Sequence, residues 1–232
     1  MELPTKKVKA SRKSPKNMII YGPPKIGKTT VLSQLEDCLI IDLEAGSDMV
    51  DALKIKVNNL KELADAGREI IKQKKPYKYI AIDTISKLEE WCEDEGKQIY
   101  MKTPMGKNFD TKNPGMSILA LPNGAGYLYL RMAYKKWIDR LNMLADHVIL
   151  VAHLKDKMLE KKGKEVAVKD LDLTGKIKQI TCANADAVGY IYREDDKTMV
   201  SFNSLDDITA GSRCRHLKGE TMPLDWSKIF ID

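Results

Sequence analysis

The sequence has no run of apolar residues approaching the ~18–20 that a membrane-crossing helix needs, which excludes a helical membrane protein. It is also poor in cysteine. Cys38, Cys92, Cys182 and Cys214 lie far apart without a CxxC pair, so neither a zinc knuckle nor a disulfide framework is indicated, and they read as reduced, structural thiols. There is no internal repeat, and no low-complexity segment beyond the basic stretch at the start. No apolar segment follows that stretch, Met1 to Lys16, to make a signal peptide, so the expected location is the cytoplasm. What is present is the composition of a globular domain: 43% hydrophobic and 31% charged residues in 232, enough for one core with a small appendage.

The net charge of +6 is unevenly placed. Lys6, Lys7, Lys9, Arg12, Lys13 and Lys16 stand against Glu2 alone in the first seventeen positions, so nearly the whole excess sits there and the body is close to neutral. Such a leader attracts a polyanion with salt-dependent affinity, or is simply solvated. We therefore divide the chain into a basic flexible tail, 1–16, and a domain, 17–232.

Short apolar runs alternate with helical spacing through that domain. Asn17 to Tyr21, Cys38 to Asp42, Tyr77 to Asp83 and His147 to Ala152 read as buried strands. Thr29 to Glu36, the stretch after Ile85, and 128–145 read as helices; Val50 to Lys74 reads as containing an amphipathic helix broken near Gly67. The alternation predicts an α/β fold with a largely parallel central sheet flanked by helices. Two stretches interrupt it. Residues 101–126 hold three prolines and four glycines and read as a long loop. Leu154 to Thr174 alternates charged and apolar residues around Lys161-Lys162-Gly163-Lys164 and reads as a protruding β-hairpin; 187–192 and 198–202 read as two further strands.

The most specific signal is Gly22-Pro23-Pro24-Lys25-Ile26-Gly27-Lys28-Thr29, which fits G-x-x-x-x-G-K-[ST] between a predicted strand and a predicted helix, with Thr30 following. Glycines let the backbone curl so that successive amides meet phosphate oxygens at the start of a helix. Lys28 would reach the β- and γ-phosphates of ATP and Thr29 would hold Mg²⁺. Asp83 closes an apolar strand and is the expected partner carboxylate for the metal, from a strand neighbouring the P-loop strand; Thr84 and Ser86 would cap the helix after it. For the residue that activates water, Glu44 and Asp42 compete at the end of the second strand. His153, ending the fourth, would face the γ-phosphate.

Together the P-loop, Ile41-Asp42-Leu43-Glu44, Ile80-Ala81-Ile82-Asp83-Thr84-Ile85-Ser86 and Val148-Ile149-Leu150-Val151-Ala152-His153 resemble the core of RecA-like recombination ATPases, and most of all their small phage-encoded members, over roughly residues 17–220. The resemblance implies that Glu44 polarises the attacking water and that His153 stands where bacterial recombinases often carry a γ-phosphate-sensing glutamine. It implies single-stranded DNA binding by the loops at 101–126 and 154–180. The first carries Lys102, Lys107 and Lys112, and the second Lys155, Lys157, Lys161, Lys162, Lys164, Lys169, Lys176 and Lys178. Tyr100, Phe109 or Tyr127 would serve as stacking platforms. It further implies a homo-oligomer, ring or filament, in which Arg213, or else Arg215, reaches a neighbour's site, with a single-strand-binding or recombination protein as a further partner, in a bacterial or phage-infected cell. A helicase or packaging motor on the same core is the alternative. A small-molecule kinase is disfavoured because the hairpin has no arginine, and a GTPase because no N-K-x-D element is present.

Overall fold

A computed structural model describes residues 3–161, 164–205 and 207–231, with the backbone alone over 157–167. In chain order the strands are β1 (Asn17–Gly22), β2 (Cys38–Asp42), β3 (Lys54–Lys56), β4 (Tyr79–Asp83), β5 (His147–Lys161), β6 (Lys164–Leu171), β7 (Ala187–Glu194), β8 (Lys197–Ser201), β9 (Gly211–Ser212) and β10 (Thr221–Pro223). The helices are α1 (Lys28–Ser33), α2 (Leu60–Lys72), α3 (Ile85–Met101), α4 (Phe109–Lys112), α5 (Gly126–Leu141), α6 (Gly175–Asn184) and α7 (Trp226–Ile229).

The sheet runs β10-β8-β7-β1-β5-β4-β2-β3. The six strands from β7 to β3 are mutually parallel, and β8 and β10 add antiparallel at one side. This is the expected largely parallel sheet. Beyond the sheet β5 continues into an antiparallel hairpin with β6, pairing Leu154 with Leu171 through to Lys161 with Lys164, as the alternating sequence predicts; Lys162 and Gly163 of the expected tip lie outside the described residues.

The strands are apolar throughout because both faces are covered. Successive side chains alternate between two cores. Ile19, Tyr21, Leu39, Ile41, Ile80, Ile82, Val148 and Leu150 meet α2, α3, α5 and α6 on one face. Met18, Ile20, Cys38, Ile40, Ala81, Ile149 and Val151 meet the other. There the six-residue α1 is too short to cover the sheet, and the segment from Cys214 to Phe230 completes the layer with Leu217, Trp226, Ile229 and Phe230. The Trp226 indole N–H donates to the Val31 carbonyl at 2.6 Å, reinforcing an acceptor at the end of α1 that otherwise takes only a long bond, 3.3 Å, from the Gln34 amide. All four cysteines are free, and burial pushes the Cys38 thiol up to about 12 and Cys182 to about 11.

Three expectations are corrected. The helix expected within 50–74 is α2, which runs unbroken through Gly67, packed on Leu144, but residues 50–57 are not helical: Leu53 and Val57 flank the edge strand β3. The stretch 101–126 is not featureless, since Phe109 and Ile118 are buried and anchor α4 and a 3₁₀ turn at Ile118–Ala120. Phe109 is 6% exposed with Tyr100 edge-on to it, so neither ring is an open stacking platform; of the three only Tyr127 is exposed. Helix α6, within the second expected loop, has no counterpart in the sequence reading.

Replacing Trp226 with Phe keeps the ring but leaves the Val31 carbonyl with the long Gln34 bond alone. We expect a loss of about 1 kcal/mol in urea denaturation, with α1 and the loop before it affected first in hydrogen exchange.

Candidate active site

Two glycines shape the β1–α1 loop for different reasons. A Cβ on Gly22 would lie 2.4 Å from the Ile191 carbonyl oxygen, so only hydrogen fits where β1 passes β7. Gly27 has φ of +93°, in the left-handed region that side chains resist. Along this curl the amides of Lys25, Ile26, Gly27, Lys28, Thr29 and Thr30 donate to no acceptor among the described residues, and the first bonded amide is Val31, to the Gly27 carbonyl at 2.9 Å. A row of unsatisfied N–H groups at a strand–loop–helix junction is an anion site. The Lys28 ammonium folds back onto the Gly22 and Pro23 carbonyls at 3.0 and 2.9 Å. Burial lowers its pKa, against the attraction of Asp83 and Glu44. Ile26 turns away and packs against the second core.

The loop opens on a cavity of about 420 Å³ lined by Pro24, Lys25, Gly27, Lys28, Thr29 and Thr30 on one side and Asp42, Glu44, Asp83 and His153 on the other. Sheet register sets the second group: Asp42 lies beside Asp83, and His153 beside Gly22. Asp83 is not on the strand next to β1, as expected, because β5 intervenes. Its carboxylate nevertheless accepts from the Thr29 hydroxyl at 2.7 Å. Burial raises the Asp83 pKa, as do Asp42 and Glu44, while Thr29 and Lys28 act in the opposite sense.

The structure separates the two competing acids. Asp42 is 2% exposed and accepts the amides of Glu44, Gly46 and Ser47 at 3.0, 3.3 and 2.9 Å. Burial works to raise its pKa, but the bonds from Ser47, Glu44 and Gly46 outweigh it and hold the carboxyl below its ordinary value. Asp42 therefore folds the loop that presents Glu44. Glu44 is exposed: the Thr84 hydroxyl donates to it at 2.7 Å, and His153 Nε2 sits 2.9 and 3.0 Å from its two oxygens. His153 Nδ1 is buried with no partner among the described residues, which fits Nε2–H donating to the carboxylate.

Sequence reasoning missed Thr84's second duty. Its hydroxyl caps α3 by accepting from the Lys87 amide at 3.3 Å, as expected, and also donates to Glu44. Ser86 does not cap; it donates to the Asp172 carbonyl and accepts from the His153 amide, tying β5 to the hairpin's base. Arg213 is not brought to this cavity. It lies by Asp186 at the opposite end of the sheet, its Nη1 3.8 Å from the Asp186 carboxylate and its Nη2 donating to the Ala183 carbonyl. Of the lysines in 154–180, Lys155 pairs with Asp172, Lys178 of α6 with Asp170, and Lys169 covers the Tyr190 ring.

The donor set suits Mg²⁺. No group of three His, Cys, Asp or Glu among the described residues could hold a metal alone, whereas Mg²⁺ binds through one or two protein oxygens and completes its shell with phosphates and water. Thr29 and Asp83 supply such a pair, and a dication relieves the crowding of three acids that disfavours the Asp83 carboxylate.

An amide cup on the P-loop, a buried acid reaching its threonine and a second acid at the end of a neighbouring parallel strand define a P-loop nucleotide-binding protein. The AAA domain family matches residues 14–214, and the chain belongs to that family of P-loop ATPases. No protein of curated function matches the sequence. Among solved structures, the crystal structure of the RadB recombinase aligns over 93% of this chain and 90% of its own, with a TM-score of 0.46 and 12% identity.

Two substitutions separate the acids. Asp42→Ala strands three amides and should cost about 1–3 kcal/mol or more at neutral pH. Because the Asp42 pKa is depressed, its stabilisation is present above the unfolded carboxylate value of about 3.9 and is lost as pH falls through the lower folded value. Asp83→Asn should do the reverse, raising the stability of the nucleotide-free protein at pH 7, since the raised pKa means the charged form is disfavoured there. Urea titrations across pH check both.

Proposed function

We propose that the protein is a Mg²⁺-dependent ATPase that acts on single-stranded DNA in recombination or annealing, as an oligomer in the cytoplasm. The observation that carries the nucleotide part is the unbonded amide run Lys25 to Thr30, in the loop that lines one cavity together with the Thr29–Asp83 pair and Glu44. In this reading the amides and Lys28 hold the β- and γ-phosphates, with Lys28 exchanging the Gly22 and Pro23 carbonyls for phosphate oxygens. Thr29 and Asp83 would hold Mg²⁺, which supplies charge neutralisation on those oxygens.

Glu44 orients the water that attacks the γ-phosphorus and accepts its proton as the bond to the β-phosphate oxygen breaks. Its carboxylate takes bonds from Thr84 and His153, and His153, at the level of Gly22 on the adjacent strand, would exchange Glu44 for a γ-phosphate oxygen. The DNA part is supported by two lysine-bearing segments beyond the same ends of the parallel strands, where Lys102, Lys107, Lys112 and Lys176 are exposed.

Lys28→Ala should abolish hydrolysis with the fold intact by circular dichroism. Glu44→Gln should lower kcat by about 10²–10⁴-fold while retaining bound nucleotide. Steady-state ATPase rates with and without a thymidine oligonucleotide, across salt, test the substrate: absence of both stimulation and salt-dependent binding removes the DNA reading and leaves the ATPase.

A further inference from the structure

We infer that the end of the sheet opposite the nucleotide cavity carries a second polyanion site, a groove that takes the sugar–phosphate backbone of nucleic acid without needing nucleotide. The inference rests on the reading that the protein acts on DNA, and deepens it by separating a nucleotide-independent docking groove from the loops beside the ATP cavity.

The sequence offers the basic tail and the late Arg213–His216 segment as unrelated features, far apart along the chain. The fold makes them the two walls of one groove of about 910 Å³, with Lys9, Arg12 and Lys13 on one side and Arg213, Arg215 and His216 on the other. Lys9, Arg12, Lys13 and Arg215 are exposed. The groove lies where β1 begins, and the cavity where β1 ends at Gly22, so about 17 Å of strand separates them.

Asp186 is the one acid among the groove's described lining residues, and it is already engaged. Its Oδ2 accepts the Lys16 and Asn17 amides at 2.9 and 3.3 Å, and its other oxygen faces Arg213. It therefore fixes the groove without neutralising Lys9, Arg12, Lys13 or Arg215. The walls are pinned as well. Ser14, 3% exposed, accepts the Ile231 amide at 2.9 Å where the tail leaves the domain, and the Arg213 amide donates to the Asp186 carbonyl at 2.7 Å. His216 Nε2 donates to the Ile229 carbonyl at 3.0 Å.

Cations converging on one concavity repel one another until a polyanion enters and releases its counterions. The groove has no apolar centre of the kind a protein partner would bury: of its lining, Val8, Ala10 and Ile231 are the exposed apolar residues. Cationic walls without an apolar anchor or an aromatic shelf favour contact with phosphates rather than bases, so duplex and single strand should both bind, without sequence preference.

The test is fluorescence anisotropy of a labelled thymidine 30-mer, and of a 30-base-pair duplex, with the full chain and no nucleotide, over a salt series. Wild type and Lys28→Ala should bind alike. Arg12→Glu/Lys13→Glu and, separately, Arg215→Gln should each weaken binding about 10-fold or more at low salt, with the log–log salt slope for the single strand shallower by about 0.7 for each phosphate left unneutralised. DNA-free ATPase should be unchanged in the tail double variant. Wild-type affinity and slope in both groove variants, while wild type binds DNA, would overturn the groove and leave the ATPase and loop readings standing. No binding by wild type with or without ATP would remove the DNA reading together with the groove. Intact DNA binding in Arg215→Gln with loss of ATPase and of assembly in sedimentation would instead show this end of the sheet seated on a neighbouring copy, which also overturns it.

Discussion

Strands buried on both faces have no room for charge within their length, and the site is arranged around that constraint. In β2 and β4 the acids stand at the last position, Asp42 and Asp83, and sheet register sets them side by side at the end where the P-loop emerges. Two adjacent carboxylates repel, and the chain resolves this by giving them different partners. Asp42 turns into its own loop and is held by three amides; Asp83 turns across the top of β5 to Thr29. The first arrangement fixes where Glu44 stands, and the second ties the sheet to the first turn of α1. A one-residue slip in either strand would exchange the apolar face for the acid and lose both.

Much of this was legible in the residues. Runs such as Met18-Ile19-Ile20-Tyr21 and Val148-Ile149-Leu150-Val151 have few alternatives to buried parallel strands, and G-x-x-x-x-G-K-T between strand and helix is specific enough to place the phosphate loop. The competition between Asp42 and Glu44 was not resolvable from the residues, because spacing alone does not say which acid the loop amides will claim. The insertion of β5 between β1 and β4 was equally hidden: chain order does not give strand order. Residues 50–57 misled because Leu53 and Val57, four apart, satisfy a helical stripe and an edge strand with its turn alike. Helix α6 was obscured by its own sequence, Gly-Lys-Ile-Lys-Gln-Ile, whose weak amphipathicity and lysines read as loop. An aromatic among prolines and glycines carries no local sign of burial, and Phe109 is the residue that the segment folds around.

The two faces of the sheet are covered unequally. On the face of α2, α3, α5 and α6, long helices do the covering. On the other face α1 has only six residues, and coverage depends on Trp226, Ile229 and Phe230 returning from far along the sequence. Covering of this kind cannot be inferred from local periodicity; it follows from asking which apolar strand residues still lack a partner.

The bond from Trp226 to Val31 spans 195 positions, and it braces the turn that the phosphate cup grows from. At ordinary translation rates residue 226 leaves the ribosome on the order of 10–40 s after residue 31. The cup is thus made well before it is fastened. During that interval the emerging strand and loop lack the back wall that steadies them, so a firm grip on a triphosphate waits for residue 226 rather than for the loop's own emergence.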